Sequence, residues 1–437
     1  MRKGKRWLAA AVSAAMIVQS LASVGPVYAA DDGVSIADTF TDSSFRSYVS
    51  SNFDKDSNGY LSDAEIANVT SIDVSKCSPA ISSLNGVELF TNLSKLDCNE
   101  QSIRNLDIEN LENLEYIDVS SNRIDSLTLP VSAEKLTYLD ISGNKITSLT
   151  SLADYNNLVL LNANSTNLSS IDVSNMKGLK VLGVSGTTIS TLDLGSNMEL
   201  TTLYCDSMRS LPALDVSGHE KLKNLYCAGA KSDSGVVVRS SITKLDVSGD
   251  IALGSLDCSN SYVAELNIDN TPALTTLDCS NTRLTSIDVS KNTSLSYLDV
   301  SSNVLGVVDF TANTALRELY VKDTGINKLD VSTLTNLVNL DASSNSLAEL
   351  DIASNSLLEK LYLSDNNIQG IKLDGHPDLK ELEIDNNNLV AIDISVCPKL
   401  YGDDGVFSCS GNSRDITLDT TNYDYDFSDF SKVYGFA

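Results

Sequence analysis

Apolar residues return along this chain with a period longer than that of any helix or strand. In the stretch LTTLDCSNTRLTSIDVSKNTS (274–294), leucines hold positions 1, 4 and 11, Ile287 holds 14, and Cys279 and Val289 hold 6 and 16. The first leucine of each unit recurs from Leu93 to Leu400 in steps of 21 or 22, broken once by a 31-residue step after Leu222. The LxxLDC segment predicts a short strand, with Leu277 and Cys279 on one side because side chains alternate along a strand. One such turn cannot bury its apolar side alone, whereas stacked turns join those residues into a linear core. Position 9 is often Asn (Asn122, Asn144, Asn303, Asn345, Asn366, Asn387) and otherwise mostly Thr. An inward amide there can satisfy backbone groups at the turn and repeat as a ladder. The second half of the unit, rich in β-branched residues, Asp and Ser, predicts an extended or 3₁₀ segment rather than a full helix.

A period of this length with the pattern LxxLxLxxNxL resembles the leucine-rich repeat family over residues 93–400. The fold expected is an α/β-type repeat solenoid, curved, with a parallel β-sheet on its concave face and a small helical N-terminal cap. The organisation expected is an export signal at 1–29, a cap at 30–70, about 14 repeat units at 71–400 with an insertion at 231–240, and a C-terminal cap at 401–437.

The two ends carry different signals. RKGKR followed by WLAAAVSAAMIVQSLASV and the small-residue site before Ala30 reads as a cleavable signal peptide, leaving no membrane insertion after cleavage. In TDSSFRSYVSSNF, Phe45, Tyr48, Val49 and Phe53 fall at helical spacing. The next segment, DKDSNGYLSDAE, places Asp54, Asp56, Asn58, Ser62 and Glu65 at loop positions 1, 3, 5, 9 and 12. Gly59 lies at the sharp turn, and Tyr60 offers its carbonyl at position 7. Oxygen ligands in this order, closed by a bidentate carboxylate, wrap one Ca²⁺ in an EF-hand loop. The same acids would also serve as a metal-free turn capping the first repeat. A dockerin would need a second loop. At the other end, the Tyr-, Phe- and Asp-rich segment after Leu400 reads as a β-rich cap that lacks an anchoring motif.

Export signal, cap helix, calcium loop and LDCS/LDVS repeats, in that order, resemble secreted bacterial internalin-like proteins. The 21-residue units with Cys at position 6 resemble the subgroup that carries a cysteine ladder. The resemblance implies an extracellular or cell-surface adhesion protein and names no ligand.

Cys98, Cys205, Cys227, Cys258 and Cys279 occupy a position filled elsewhere by Val119, Ile141, Val184, Val300 or Leu363, so they read as core thiols. In-register side chains about 4.8 Å apart do not converge as a disulfide requires, and no CxxC pair suggests zinc. Cys397 and Cys409 lie outside this series and could pair. His219 and His376 are the only histidines, and no nucleophile, metalloprotease or phosphate-loop motif occurs, so an enzyme is not expected.

The net charge of −27 becomes −31 once residues 1–29, with four basic side chains and no acid, are removed. That argues against nucleic acid and anionic membrane surfaces as partners; the ligand expected is a protein or glycoprotein. Position 5 of the strand carries a ladder of Asp (Asp97, Asp118, Asp140, Asp257, Asp278, Asp299, Asp341), broken by Tyr204, Tyr226, Tyr320 and Tyr362. The ladder suits either a soluble face or a track for a basic partner. Asp172, Asp193, Asp246, Asp288 and Asp330, in the second half, read as Asx-type backbone acceptors. The repeat breaks where Tyr204 and Tyr226 fall side by side, beside the insertion KSDSGVVVRS. Arg209, Lys231 and Arg239 bring cations there. Tyrosine favours binding hot spots, so these residues are the expected partner contact. The competing expectation is a spacer whose loop drifted in and whose rings merely pack against it.

Overall fold

The computed structural model describes residues 33–149, 152, 154–231, 235–402, 404–412 and 417–418. The expected signal peptide, the middle of the insertion and most of the C-terminal cap lie outside them.

The dominant element is a 16-stranded parallel sheet running in chain order from Ser71–Asp73 to Val406–Ser408. Each strand is three residues long, and its central apolar residue sits in register with the one before and after: Leu277 lies opposite both Leu256 and Leu298. The backbone continues the ladder beyond the strand, as Cys279 N–H donates to Asp299 O at 2.9 Å. Two strands come from outside the strict period, at Ser71–Asp73 and Val406–Ser408, so the sheet extends past the roughly 14 units expected.

Within one turn Leu274, Leu277, Cys279, Leu284 and Val289 are buried, and Ile287 is half-buried against them. Each fully buried aliphatic contributes about 1.5–3 kcal/mol. The core runs continuously from turn to turn, which is how a long chain escapes the size limit of a single globular core.

The position-9 ladder is formed as expected. Asn303 Nδ2 donates to the carbonyls of Cys279 (2.9 Å) and Val300 (3.0 Å), while its Oδ1 accepts from Leu284 N–H (3.1 Å). The preceding residue often adopts the left-handed region, as at Ser302 (φ 55°), Asn281 (φ 51°) and Gly143 (φ 65°). That conformation excludes β-branched residues and explains the run of Ser, Asn, Asp and Gly there.

The second halves of the units are extended. Ala213–Asp215, Lys244–Asp246 and Glu265–Asn267 pair into a parallel three-stranded sheet, and Asn105–Asp107 pairs with Ser126–Thr128. Among the described residues, α-helix is confined to the cap: α1 (Ile36–Thr39), α2 (Ser43–Asn52) and α3 (Asp63–Ala67). The cap joins the solenoid core. Phe40, Phe45 and Phe53 gather with Phe90, with Phe40 and Phe90 stacked at 6.0 Å. Asp42 caps α2 with one oxygen and accepts from Ser82 N and Oγ with the other.

Candidate metal loop and binding face

The metal loop begins after Phe53, which ends α2, and closes at Glu65 in the first turn of α3. Asp54 accepts from the backbone N–H of Asn58 (3.1 Å) and Gly59 (3.0 Å), and Asp56 accepts from Asn58 N–H (3.1 Å). Gly59 takes φ 86°, the sharp turn that a side chain would strain. Glu65 spans the loop. One oxygen accepts from Lys55 N–H at 2.7 Å, and the other from Ser62 N–H and Oγ in a capping box. The Ser62 and Lys55 amides hold this half-buried carboxylate below the usual Glu range, with burial opposing them. Carboxylate oxygens of Asp54, Asp56 and Glu65 all lie within 4.8 Å of one another, so this cluster could hold a metal ion. Three hard oxygen donors at such separation, with Asn58, Ser62 and the Tyr60 carbonyl nearby in sequence, fit a calcium-type ion. The strand Tyr60–Leu61 pairs antiparallel with Val34–Ser35, so the chain itself supplies a partner for the single loop.

On the main sheet face, Tyr204 and Tyr226 stack at 5.2 Å and 11°, on adjacent strands that pair residue for residue. Tyr204 is 38% exposed. The insertion opens with Ala230–Lys231, which forms a short antiparallel pair with Val237–Val238. It leaves the strand through Gly229, where a Cβ would meet Asn260 O at 2.1 Å and Val238 O at 2.5 Å, so only glycine fits. Arg209 and Lys231 are exposed, as a partner contact requires. Arg239 differs from expectation. It is half-buried, and its guanidinium donates to Ser261 O (2.8 Å) and to both oxygens of Asn281, 42 residues on. It lies 5.6 Å from the centre of the Tyr262 ring, which Arg283 covers at 4.2 Å. Arg239 is therefore a brace that fixes the insertion to the next two turns, not a free surface cation.

Tyr320 and Tyr362 are half-buried on the same face, with hydroxyls donated to Glu318 (2.8 Å) and to Glu381. Beside Tyr362 lies an open cavity of about 550 Å³ lined by Lys322, Asp341, Asp365, Glu383 and Asp385. Burial and the neighbouring Asp385 and Asp341 push Glu383 upward.

The Asp ladder is less of a free track than expected. Asp118, Asp140, Asp278 and Asp341 each accept from the N–H and Oγ of a serine two residues on, as Asp278 does from Ser280 at 2.9 and 2.7 Å. Asp172 and Asp288 make the same N–H bond in the second half, so both series are Asx turns. Burial still pushes the face carboxylates up: Asp278 to about 6, Asp299 and Asp97 in the same direction.

These geometries agree with the comparisons. Residues 112–154 match the family described as leucine rich repeats (2 copies), and residues 291–308 match the single leucine rich repeat family. The chain is similar to the functional domain of InlJ from Listeria monocytogenes, a structure described as including a cysteine ladder. Identity is 31%, covering 86% of this chain and 80% of that one, with TM-score 0.74. The chain is an internalin-like leucine-rich repeat protein. Two further structures share its fold. The internalin InlF of the same organism has 22% identity, 80% and 97% coverage and TM-score 0.57. A leucine-rich repeat protein of Leptospira interrogans has 20% identity, 75% and 92% coverage and TM-score 0.56. No curated protein matches the chain.

In this internalin-like protein Cys205, Cys227, Cys258 and Cys279 follow the strands of four successive turns, all buried and all free thiols. Burial pushes the Cys258 and Cys279 thiols up, keeping them protonated and unreactive. Cys397 and Cys409, expected as a possible pair, are also free, and burial pushes Cys397 up to about 11.

A second buried polar column was missed from the sequence of this protein. Three residues before the periodic leucine stand Asn197, His219, Asp250, Thr271, Asn292, Asn313, Asn355 and His376, all buried. Aligning the units on that leucine would have found it. No helix among the described residues is long and apolar enough to cross a membrane.

Proposed function

We propose that this protein is exported and binds, without catalysing a reaction, a protein or glycoprotein on the face of its main sheet. In the same reading one Ca²⁺ at Asp54, Asp56, Asn58, Tyr60, Ser62 and Glu65 stabilises the cap. The observation that carries the reading is a coincidence of irregularities. The Asp ladder gives way to the stacked pair Tyr204–Tyr226 in the very turns that carry the braced insertion. Stiff aromatic area with hydrogen-bonding tips, beside the exposed Arg209 and Lys231, suits a recognition patch. Tyr320 and Tyr362 extend it along the face. Arg239 contributes by holding the insertion in place. The strongly acidic surface disfavours nucleic acid, and the basic, then apolar N-terminal segment supports export and an extracellular location.

The test is capture of protein from candidate partner cell surfaces by the immobilised chain. Wild type is compared with Tyr204→Ser/Tyr226→Ser and with a chain lacking 231–240, with fold checked by circular dichroism. Loss of a specific band in both variants is expected. Equal recovery with all three chains would support a spacer without a ligand at this place.

A further inference from the structure

The inner polar column contains one residue whose chemistry does not match its slot. In the regular turns the slot is lined by carbonyl oxygens and filled by an amide donor. Asn313 Nδ2 donates to Val289 O (2.9 Å) and Asn292 O (3.0 Å), and Asn355 Nδ2 to Val331 O (2.9 Å) and Leu334 O (2.8 Å). Asn197 Nδ2 donates likewise to Val173 O and Met176 O, both at 2.9 Å. In the turns on either side of the insertion, the column residue is instead His219 and then Asp250. His219 keeps the pattern, with Nδ1 at 2.8 Å from Val216 O and Nε2 at 3.2 Å from Leu194 O.

Asp250 cannot keep it as an anion. Its side chain is completely buried; Oδ1 accepts from His219 N–H at 2.8 Å and the Gly218 amide also favours the charged form, while Oδ2 meets no donor, as the side-chain oxygens of Asn197, Asn313 and Asn355 do not. The ionisable groups around it are Asp246 and Asp215, both acids on the paired second-half strands, and His219, whose imidazole is turned to Val216 O and Leu194 O. The nearest basic side chain in that row, Lys244, is drawn to Glu265 at 3.3 Å, and no described cation pairs with Asp250. A completely buried carboxylate with two acids nearby and no paired cation is costly, whereas the protonated acid carries no charge to desolvate.

We infer that Asp250 is a neutral acid in the folded chain, and that its proton forms a pH-sensitive latch between the turns beginning at Leu200 and Leu222. Release of the proton to solvent leaves an uncompensated buried charge and weakens the stacking of these two turns. Burial pushing Asp250 up to about 7 agrees with this. The sign follows from linkage. The folded chain binds this proton more tightly than the unfolded chain, so stability from this site is full below about pH 4 and is lost as pH rises through about 7. The inference does not depend on the proposed partner, because its test reads stability alone.

The experiment is thermal and urea unfolding of the full chain between pH 4 and 8.5. It compares wild type, Asp250→Asn, Asp250→Thr (Thr271 fills the slot in the next turn) and Asp288→Asn, an exposed control. At pH 8 both Asp250 variants are expected to unfold with an equilibrium constant at least about tenfold smaller than wild type, an advantage that shrinks to nothing or reverses near pH 4. The Asp288→Asn profile should run parallel to wild type. A pH-independent difference for both Asp250 variants, or lower stability of both at pH 8, would overturn the inference.

Discussion

Replacing Asn303 by Ala tests what holds one turn to the next. The side chain is buried, donates to Cys279 O and Val300 O, and accepts from Leu284 N–H (3.1 Å) and Thr282 Oγ (2.6 Å). Truncation removes these bonds and leaves Val300 O and Leu284 N–H, in adjacent turns, without these partners, while Cys279 O keeps Thr282 Oγ. Each net hydrogen bond is worth about 1 kcal/mol and each buried orphan about 1–3. Part of that cost is relieved by water at the sheet edge, so we expect a loss of about 3 kcal/mol. Asn303→Thr should cost only about 1 kcal/mol, because Thr282 fills the same position and donates to Cys279 O at 3.0 Å. Asn336, exposed and bonded to Thr314 O, is the control, and Asn336→Ala should stay within about 0.5 kcal/mol. Urea unfolding followed by circular dichroism measures all three. A loss under about 0.5 kcal/mol for Asn303→Ala, or equal losses for Ala and Thr, would refute the ladder as a source of stability.

Calcium should raise the unfolding temperature of the cap with weak, extracellular-range affinity of about 10⁻⁴–10⁻³ M. Glu65→Gln should remove most of that gain, and identical melting with calcium and with chelator would dismiss the metal. Cys205, Cys227, Cys258 and Cys279 should resist alkylation until the chain is denatured, and Cys258→Val should cost less than about 1.5 kcal/mol because Val300 fills the same position. A native Cys258–Cys279 disulfide by mass spectrometry would contradict this. Asp278, pushed to about 6 by burial, binds its proton more tightly folded than unfolded. Asp278→Asn should therefore stabilise the chain above pH 6 and make no difference near pH 4, and a pH-independent effect would show that its charge is not felt.

The repeating part of the fold was legible because two periods coincide. Alternation within LxxLDC aims Leu277 and Cys279 inward, and the 21-residue step superimposes them on Leu298 and Val300. Asn303 was legible for the same reason, as its partners lie at fixed offsets. The loop acids were legible because their spacing is itself the geometry of the site. What failed to show depends on contacts between turns. Arg239 looked like a free cation because nothing local reveals its bond to Asn281. The face aspartates stayed open between a soluble face and a track because serine two residues on was not weighed as their donor. The last strand, Val406–Ser408, was legible only as part of a β-rich cap because capping turns depart from the consensus. Asp250 and His219 lay in a loop-like stretch whose burial is created only by stacking.

The sheet face as the binding surface is tested most directly by placing a photo-crosslinking amino acid, benzoylphenylalanine, at Tyr226 and, in a separate chain, at the exposed second-half residue Asp288. Both chains are irradiated on candidate partner cell surfaces. A protein or glycoprotein captured from position 226 and absent from position 288 is the predicted result. Equal capture from both positions, or capture from 288 alone, would contradict the account.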